Sequence, residues 1–394
     1  MSLLEITNEP RPYAWGKAGG IAAALGKTPT DRPEAELWLG AHPSSPSRVI
    51  GGKPWSDLGQ WQSTNGTTLP FLLKILAAGA PLSLQAHPTD AQAQAGFERE
   101  RSAGIPLDAP QRNYRDPYAK PELIVALEDG FRALCGFRPR EESLAFAERL
   151  NHRSPTSAGS RWLTMLAEDT GIQRSVEWLM SGTDDAMDLT AEIVRQARAH
   201  DTEPDLDLAR LLSHHHQHDP GVAVAQLLND VVLVRGEALW LPAGNIHAYL
   251  SGTGIELMGP SDNVLRGGLT PKHVDVDELL GVLDFAPGGA PHLRSLPLNE
   301  AASTYLPRSM PSGASCPFQL LRVTENVALD LALSVFFTSS GEFELTSGER
   351  SLPLPRGRAA FLTAPSVVNC RGRGELFIAT TDADLSEAEP RSST

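Results

Sequence analysis

Apolar and polar residues alternate in short runs over the first third of the chain. In LSLQAH (82–87), Leu82, Leu84 and Ala86 fall on one face and Ser83, Gln85 and His87 on the other. Side chains alternate across a strand, so this run predicts a half-buried strand with a polar second face, ended by Pro88. KPELIVAL (120–127) predicts a second one, with Lys120, Glu122 and Ile124 on one face and Leu123, Val125 and Leu127 on the other. Leu69 to Ala77 is an apolar run interrupted by Lys74, and Glu36 to His42 is a strand-like run entering the Pro/Ser-rich loop PSSPS. Ala91 to Arg101 has a helical pattern.

The period changes near Arg138 and stays helical to about Asn229. Ile172, Val176, Leu179 and Met180 form one apolar stripe, and Leu189, Ile193 and Ala197 recur every four residues. Ser175 and Thr183 mark expected helix starts. This helical stretch reads as an insertion between two parts of a β-domain, because strand character returns at Val231–Val234 and Ala238–Leu241. After a Pro/Gly linker (Pro287 to Pro291), short strands are expected at Gln319–Thr324, Ala328–Phe337, Gly341–Leu345, Ala359–Thr363 and Glu375–Thr380. That spacing predicts a sandwich or barrel.

The segment Pro242 to Pro271 organises the chemistry. Ile246–Leu250 carries His247 and Ile255–Met258 carries Glu256, with Ser-Gly-Thr-Gly between them, a pattern that predicts a β-hairpin. A two-residue loop at Gly252 and Thr253 places His247, Tyr249 and Glu256 on one face, whereas a three-residue loop turns Glu256 to the other. Arg266 and Lys272 follow in one short loop.

Composition narrows the partners. The formal net charge of −14 argues against general nucleic-acid or membrane binding, so an anionic substrate requires a local cluster of Lys and Arg. No run approaches the roughly 18 apolar residues of a membrane span. The first residues, MSLLEITNEP, lack the pattern of a signal peptide, and a cytoplasmic location is expected. Cys135, Cys316 and Cys370 are too scattered for a disulfide framework or a thiolate metal site.

Gln85 with His87, Lys120 with Glu122, and His247 with Tyr249 each put ligand-capable residues on one strand face. Two histidines, a glutamate and a side-chain amide can coordinate zinc and leave room for substrate; taken singly, each also fits an ordinary buried, hydrogen-bonded position. The tract His214, His215, His216 and His218 reads as a solvated helix end, where partial positive charge suits the helix C-terminus. Gly267-Gly268 and Gly288-Gly289 lack the preceding strand that a phosphate loop requires.

PYAWG (12–16), ELWLGAHPSSPS (36–47), LPFLLKIL (69–76), LSLQAHP (82–88), KPELIVAL (120–127), LPAGNIHAYLSG (241–252) and SDNVLRGGLTPKHVDV (261–276) together resemble type I phosphomannose isomerase, the zinc-dependent branch of the cupin superfamily. The resemblance covers most of the chain. It implies a mainly β fold with an α insertion: two cupin-type jelly-roll β-barrel domains plus a helical domain. The expected division is a catalytic cupin domain at 1–138 with 230–286, a helical insertion at 139–229, a metal-free jelly roll at 287–385 and a disordered tail at 386–394. The resemblance further implies one Zn²⁺ per chain on Gln85, His87, Glu122 and His247. It implies catalytic roles for Arg266, Glu256 and Lys120, with Lys272, Lys74, Ser83 and Tyr249 lining the substrate pocket. Of these, Lys272 is the expected phosphate clamp, assisted by Lys74 or Ser83, and Glu256 the expected base, with Lys120 its rival. The implied activity is interconversion of mannose 6-phosphate and fructose 6-phosphate by a monomeric cytoplasmic enzyme of carbohydrate metabolism, on the route to GDP-mannose. An Fe(II) cupin oxygenase and a non-catalytic sugar-phosphate-binding cupin are the alternatives. The sequence departs from the family at Ala119, where a His is usual, and at Thr89-Asp90, where Asp-Lys is frequent.

Overall fold

The computed structural model describes residues 3–381, and the expected disordered tail lies outside these described residues. The chain is mostly β, with two large antiparallel sheets, one of nine strands and one of ten. A helical stretch from Arg140 to Ala225 separates the two parts of the first sheet.

The nine-stranded sheet is organised around His247–Met258, which is one continuous strand. The expected hairpin is therefore corrected. The chain does not reverse at Ser251–Gly254, because both halves find neighbours running on past that point. His247 to Ser251 pairs with the strand Phe131–Phe137, and Gly252 to Met258 pairs with Leu72–Ala78. The same second half pairs with Glu122–Ala126 on its other side. The glycines serve close approach instead of reversal. Gly252 has φ 111°, and a Cβ there would lie 2.7 Å from the Phe131 Cα. A register shift between Tyr249 and Ser251 inserts one extra residue and changes the parity of the strand. Tyr249 and Glu256 thus come to the same side by a bulge, not by a turn.

LSLQAH contributes only Gln85–Ala86 to the sheet, paired with His247 on one side and with Leu265–Arg266 on the other. The helices pack against these strands. Trp162, Leu179, Leu189 and Ile193 share one core with Leu84, Ala86, Leu134, Ile246 and Leu250. Burying these large side chains, at about 25 cal/mol per Å² of apolar surface, holds the site-bearing strands from behind. The expected stripes are the buried faces of the helices Gly171–Met180 and Asp184–Ala199. Thr183 is an N-cap, but Ser175 lies mid-helix and buried, where its short side chain fits between packed neighbours.

In the ten-stranded sheet the long strands Ser334–Ser347 and Ser366–Thr381 pair along most of their length. The expected single strand Ala328–Phe337 is two: Val327–Leu331 ends, and Ser334 begins the long strand that also absorbs Gly341–Leu345. Leu3–Thr7 joins this sheet, pairing with Ala359–Leu362, and Arg48–Val49 extends it. The N-terminal strand is thus shared out to the sheet formed mainly by the C-terminal residues.

Candidate metal centre and substrate pocket

His87, Glu122 and His247 come from three different segments, and their ligand atoms lie within 4.8 Å of one another, all buried. The pairing of His247 with Gln85 and of Met258 with Glu122 sets this meeting. Each histidine has its Nδ1 tied to a backbone carbonyl, His87 to Asn263 at 2.8 Å and His247 to Asn245 at 2.9 Å. A carbonyl only accepts, so both Nδ1 atoms carry the proton and both Nε2 atoms present lone pairs. Those lone pairs face Glu122: His87 Nε2 is 3.3 Å from one carboxylate oxygen and His247 Nε2 is 3.2 Å from the other. Burial, then Lys120, pushes the His87 imidazole down to about 4, so it is neutral at pH 7. His87 Nε2 and Glu122 Oε2 are buried without a hydrogen-bond partner among the described residues. Three acceptors converging out of water repel one another unless a cation lies between them, so the donor set fits a metal ion.

Gln85 completes the group. Its amide nitrogen stands 3.3 Å from His247 Nε2, and turning the amide over would present the oxygen as a fourth acceptor. Lys120 donates to Glu122 at 2.9 Å. Against the upward push of burial, the Lys120 ammonium holds the Glu122 carboxyl well below the usual range.

A second buried cluster adjoins the first. Lys74 Nζ is 3.1 Å from Glu256 and 3.4 Å from Glu36, with its ammonium over the Trp38 ring at 5.0 Å. Trp38 in turn donates to Glu36 at 2.8 Å. Although burial works against the charge, Glu36 and Glu256 hold Lys74 above its ordinary range. Glu256 is raised, first by burial and then by Glu122 and Glu36, with Lys74 opposing. Burial, Glu256 and Glu122 also push the Tyr249 phenol well up, so it stays protonated.

At the mouth, Arg266 donates to Ser83 Oγ at 3.0 Å. Burial, then Arg115, depresses Arg266, while Arg266, burial and Arg115 depress Lys272. Arg266 and Lys272 belong to one segment that follows the 261–263 turn. Their loop is held by the helical stretch. Asp219 accepts from Gly221 N and Thr270 N, and Gly268, with φ 110°, passes so close that a Cβ would lie 2.7 Å from Asp219 Oδ1.

The family model for the phosphomannose isomerase type I catalytic domain matches residues 3–140. The mannose-6-phosphate isomerase of Escherichia coli is 34% identical over 94% of this chain and 98% of its own length. The chain belongs to the mannose-6-phosphate isomerase family. The human family member is 30% identical over 91% of this chain and 93% of its own length. A family member solved with zinc bound superposes with a TM-score of 0.85, at 30% identity, over 97% of this chain and 100% of that one. The oxygenase and binding-protein alternatives gain no support from this membership.

Gln85, His87, Lys120, Glu122 and His247 meet in one buried group, Lys74, Tyr249 and Glu256 meet in an adjoining one, and Arg266 contacts Ser83. The structure puts Lys74 in the buried carboxylate cluster and leaves Lys272 exposed at the mouth. The sequence reading missed the parts played by Glu36 and Asn263. Glu36 arrives because Trp38 pairs with Lys74 across adjacent strands, and only the acid opening the Glu36–His42 run signalled it. The two departures from the family have local work. Thr89 and Gln92 form a reciprocal cap on the helix Asp90–Ser102, and Asp90 accepts from Ala119 N at 2.9 Å. The histidines at 214–218 stay at a helix end, His216 half-buried and the others exposed, and are not part of the group of potential metal ligands found among the described residues.

Proposed function

We propose that this protein interconverts mannose 6-phosphate and fructose 6-phosphate, using zinc held by His87, Glu122, His247 and the oxygen of Gln85. The carrying observation is the buried convergence of His87 Nε2, His247 Nε2 and the Glu122 carboxylate, each left without a proton to share. Two neutral histidines and one carboxylate leave a zinc ion with net positive charge. Bound there, the ion would supply a Lewis acid able to polarise the sugar's oxygens.

The remaining work falls to side chains. The aldose becomes the ketose when a proton leaves C2 and returns at C1 through a cis-enediol, while the hydroxyl proton passes from O2 to O1. Glu256 takes and returns it; burial raises this carboxyl toward the working pH, which suits a general base. Lys74 holds Glu256 in place and stays charged itself. Lys120 and Arg266 set fixed positive charge near the developing oxyanion. Lys272 meets the phosphate, with Ser83 orienting Arg266. Tyr249 supplies a phenolic proton to the pocket wall.

The two large sheets support a reading as two cupin-type jelly rolls. The first serves catalysis, built from 36–137 and 228–266, and the second is free of metal ligands. In this reading the protein is a cytoplasmic monomer. No helix among the described residues is long and apolar enough to cross a membrane.

A coupled assay tests the activity. Purified protein is given mannose 6-phosphate, fructose 6-phosphate is followed, and the sample is chelated and then resupplied with Zn²⁺. Activity lost to the chelator and regained with zinc is the expected result; no turnover in any metal state would overturn the reading.

A further inference from the structure

The segment that carries Arg266 and Lys272 is held by two different parts of the molecule. Its Arg266 end belongs to the first sheet. Leu265 and Arg266 pair with Ala86 and Gln85, Gly267 N donates to Leu84 O at 2.8 Å, and Leu84 N donates to Gly268 O at 3.1 Å. The Arg266 side chain is itself tied to Ser83 Oγ at 3.0 Å. These sheet contacts stop at Gly268, before Lys272 is reached.

From Leu269 onward the support comes from the helical stretch. Leu269 has φ 54°, the one non-glycine residue in the left-handed region among the described residues. An L side chain avoids that conformation because its Cβ crowds the carbonyl oxygen, and it persists only where the surroundings over-determine it. Here the Leu269 side chain is buried in the core built by the helices, which also holds Leu212, Val222 and Ala223. The helix Gly221–Ala225 begins directly against the Leu269 backbone: a Cβ on Gly221 would lie 2.8 Å from Leu269 N. Asp219 completes the grip. Its Oδ1 accepts from Gly221 N at 2.7 Å within the helical stretch, and its Oδ2 accepts from Thr270 N at 3.0 Å in the segment. Thr270 Oγ1 in turn accepts from Lys272 N at 3.1 Å. One carboxylate thus reaches, through Thr270, the backbone of Lys272, by bonds to a charged acceptor that are stronger than neutral ones.

We infer that Asp219 is a positioning residue, acting through Thr270, by which the helical stretch fixes the Lys272 end of this segment for binding of the substrate phosphate. This rests on the sugar-phosphate isomerase reading above, with Lys272 as the group that meets the phosphate. The two ends of the segment are separately anchored, so they are separately breakable. Loss of Asp219 frees the Lys272 end and leaves Arg266 on its sheet contacts. It therefore raises KM more than it lowers kcat, and it leaves the metal ligands, which the strands hold, undisturbed.

The test is a double-mutant cycle on the zinc-loaded enzyme, reading KM and kcat for mannose 6-phosphate and zinc content in the wild type, Asp219→Ala, Lys272→Ala and the pair together. Asp219→Ala is expected to raise KM about fivefold or more, with kcat much less affected and zinc content full. Because Asp219 acts through the placement of Lys272, adding Asp219→Ala to Lys272→Ala should move KM by less than about twofold. Asp219→Asn keeps the size and one acceptor oxygen, so its KM should fall between wild type and Asp219→Ala; it also replaces Asp219→Ala in the cycle if that variant does not fold. A KM within about twofold of wild type in the single variant would overturn the inference. So would a loss confined to kcat, a loss of zinc, or a full additional rise in KM on top of Lys272→Ala. If the wild type does not isomerise the sugar phosphate, the functional reading fails by itself, and a calorimetric titration with inorganic phosphate then decides Asp219: weaker binding in Asp219→Ala sustains the inference, and equal or undetectable binding in both proteins removes it.

Discussion

Glu122 and Glu375 are equally hidden carboxylates, at 1% and 3% exposure, one in each of the two large sheets. Their surroundings differ in kind. Glu375 is closed: Arg322 donates to one oxygen at 2.8 Å, while Ser339, at 2.7 Å, and Arg235 donate to the other. Arg235 reaches it from a turn between two strands of the first sheet and also donates to Leu127 O, so the cluster joins the two sheets. Glu122 is open. Lys120 satisfies one oxygen, but the remaining neighbours are histidine lone pairs. A buried charge surrounded by donors is a fastening. A buried charge facing acceptors is a site that awaits a cation.

The sharpest way to break this contrast is to remove each charge and count metal. Glu122→Gln is expected to lose its zinc and its isomerase activity, measured by elemental analysis and the coupled assay, whereas Glu375→Gln should keep a full complement. Equal metal content in the two variants would erase the distinction. Stability should respond the other way. Glu375→Ala leaves two partly exposed arginines without their shared buried partner and is expected to cost about 2 kcal/mol in denaturant unfolding. A cost under about 1 kcal/mol would make the cluster ornamental.

The smallest effect is in pH dependence, where the closed carboxylate Glu375 and the proposed base Glu256 should move oppositely. Against burial, Ser339 and the two arginines hold Glu375 below its ordinary value. Its stabilisation is therefore complete above the unfolded pKa of about 4.3 and is lost as pH falls through the lower folded value. The stability gap between wild type and Glu375→Gln should close in that acid window. Glu256 is raised by burial and by neighbouring carboxylates, so the acid limb of kcat/KM should lie above the ordinary glutamate range. An acid limb at the ordinary value would remove Glu256 as the base.

What could be read from the sequence follows the same division. Glu122 and His247 stand on strands and His87 directly follows the short strand Gln85–Ala86, so period-two patterning of those runs points to them. The Lys74 environment was hidden, because its partners Glu36 and Glu256 come from strands whose register only pairing reveals. Gly252 and Gly254 misled for a physical reason: glycine serves tight turns and close backbone approach alike, and neighbours on both sides of the strand decide which. Asn263 was invisible because its meaning lies in one loop being fastened to another. The split at 331–334 and the length of Ser334–Ser347 likewise depend on the partner strand Ser366–Thr381, not on local composition.

The pairing of Leu3 with Leu362 also sets a timetable. Leu3–Thr7 leaves the ribosome well before its partner, which is made about 360 residues later, a separation that belongs to slow, non-local folding. At a synthesis rate of roughly 5–20 residues per second, the strand spends tens of seconds with an unmatched edge. A nascent chain halted after the metal ligands are complete, near residue 286, would hold every proposed catalytic group and still carry that open edge.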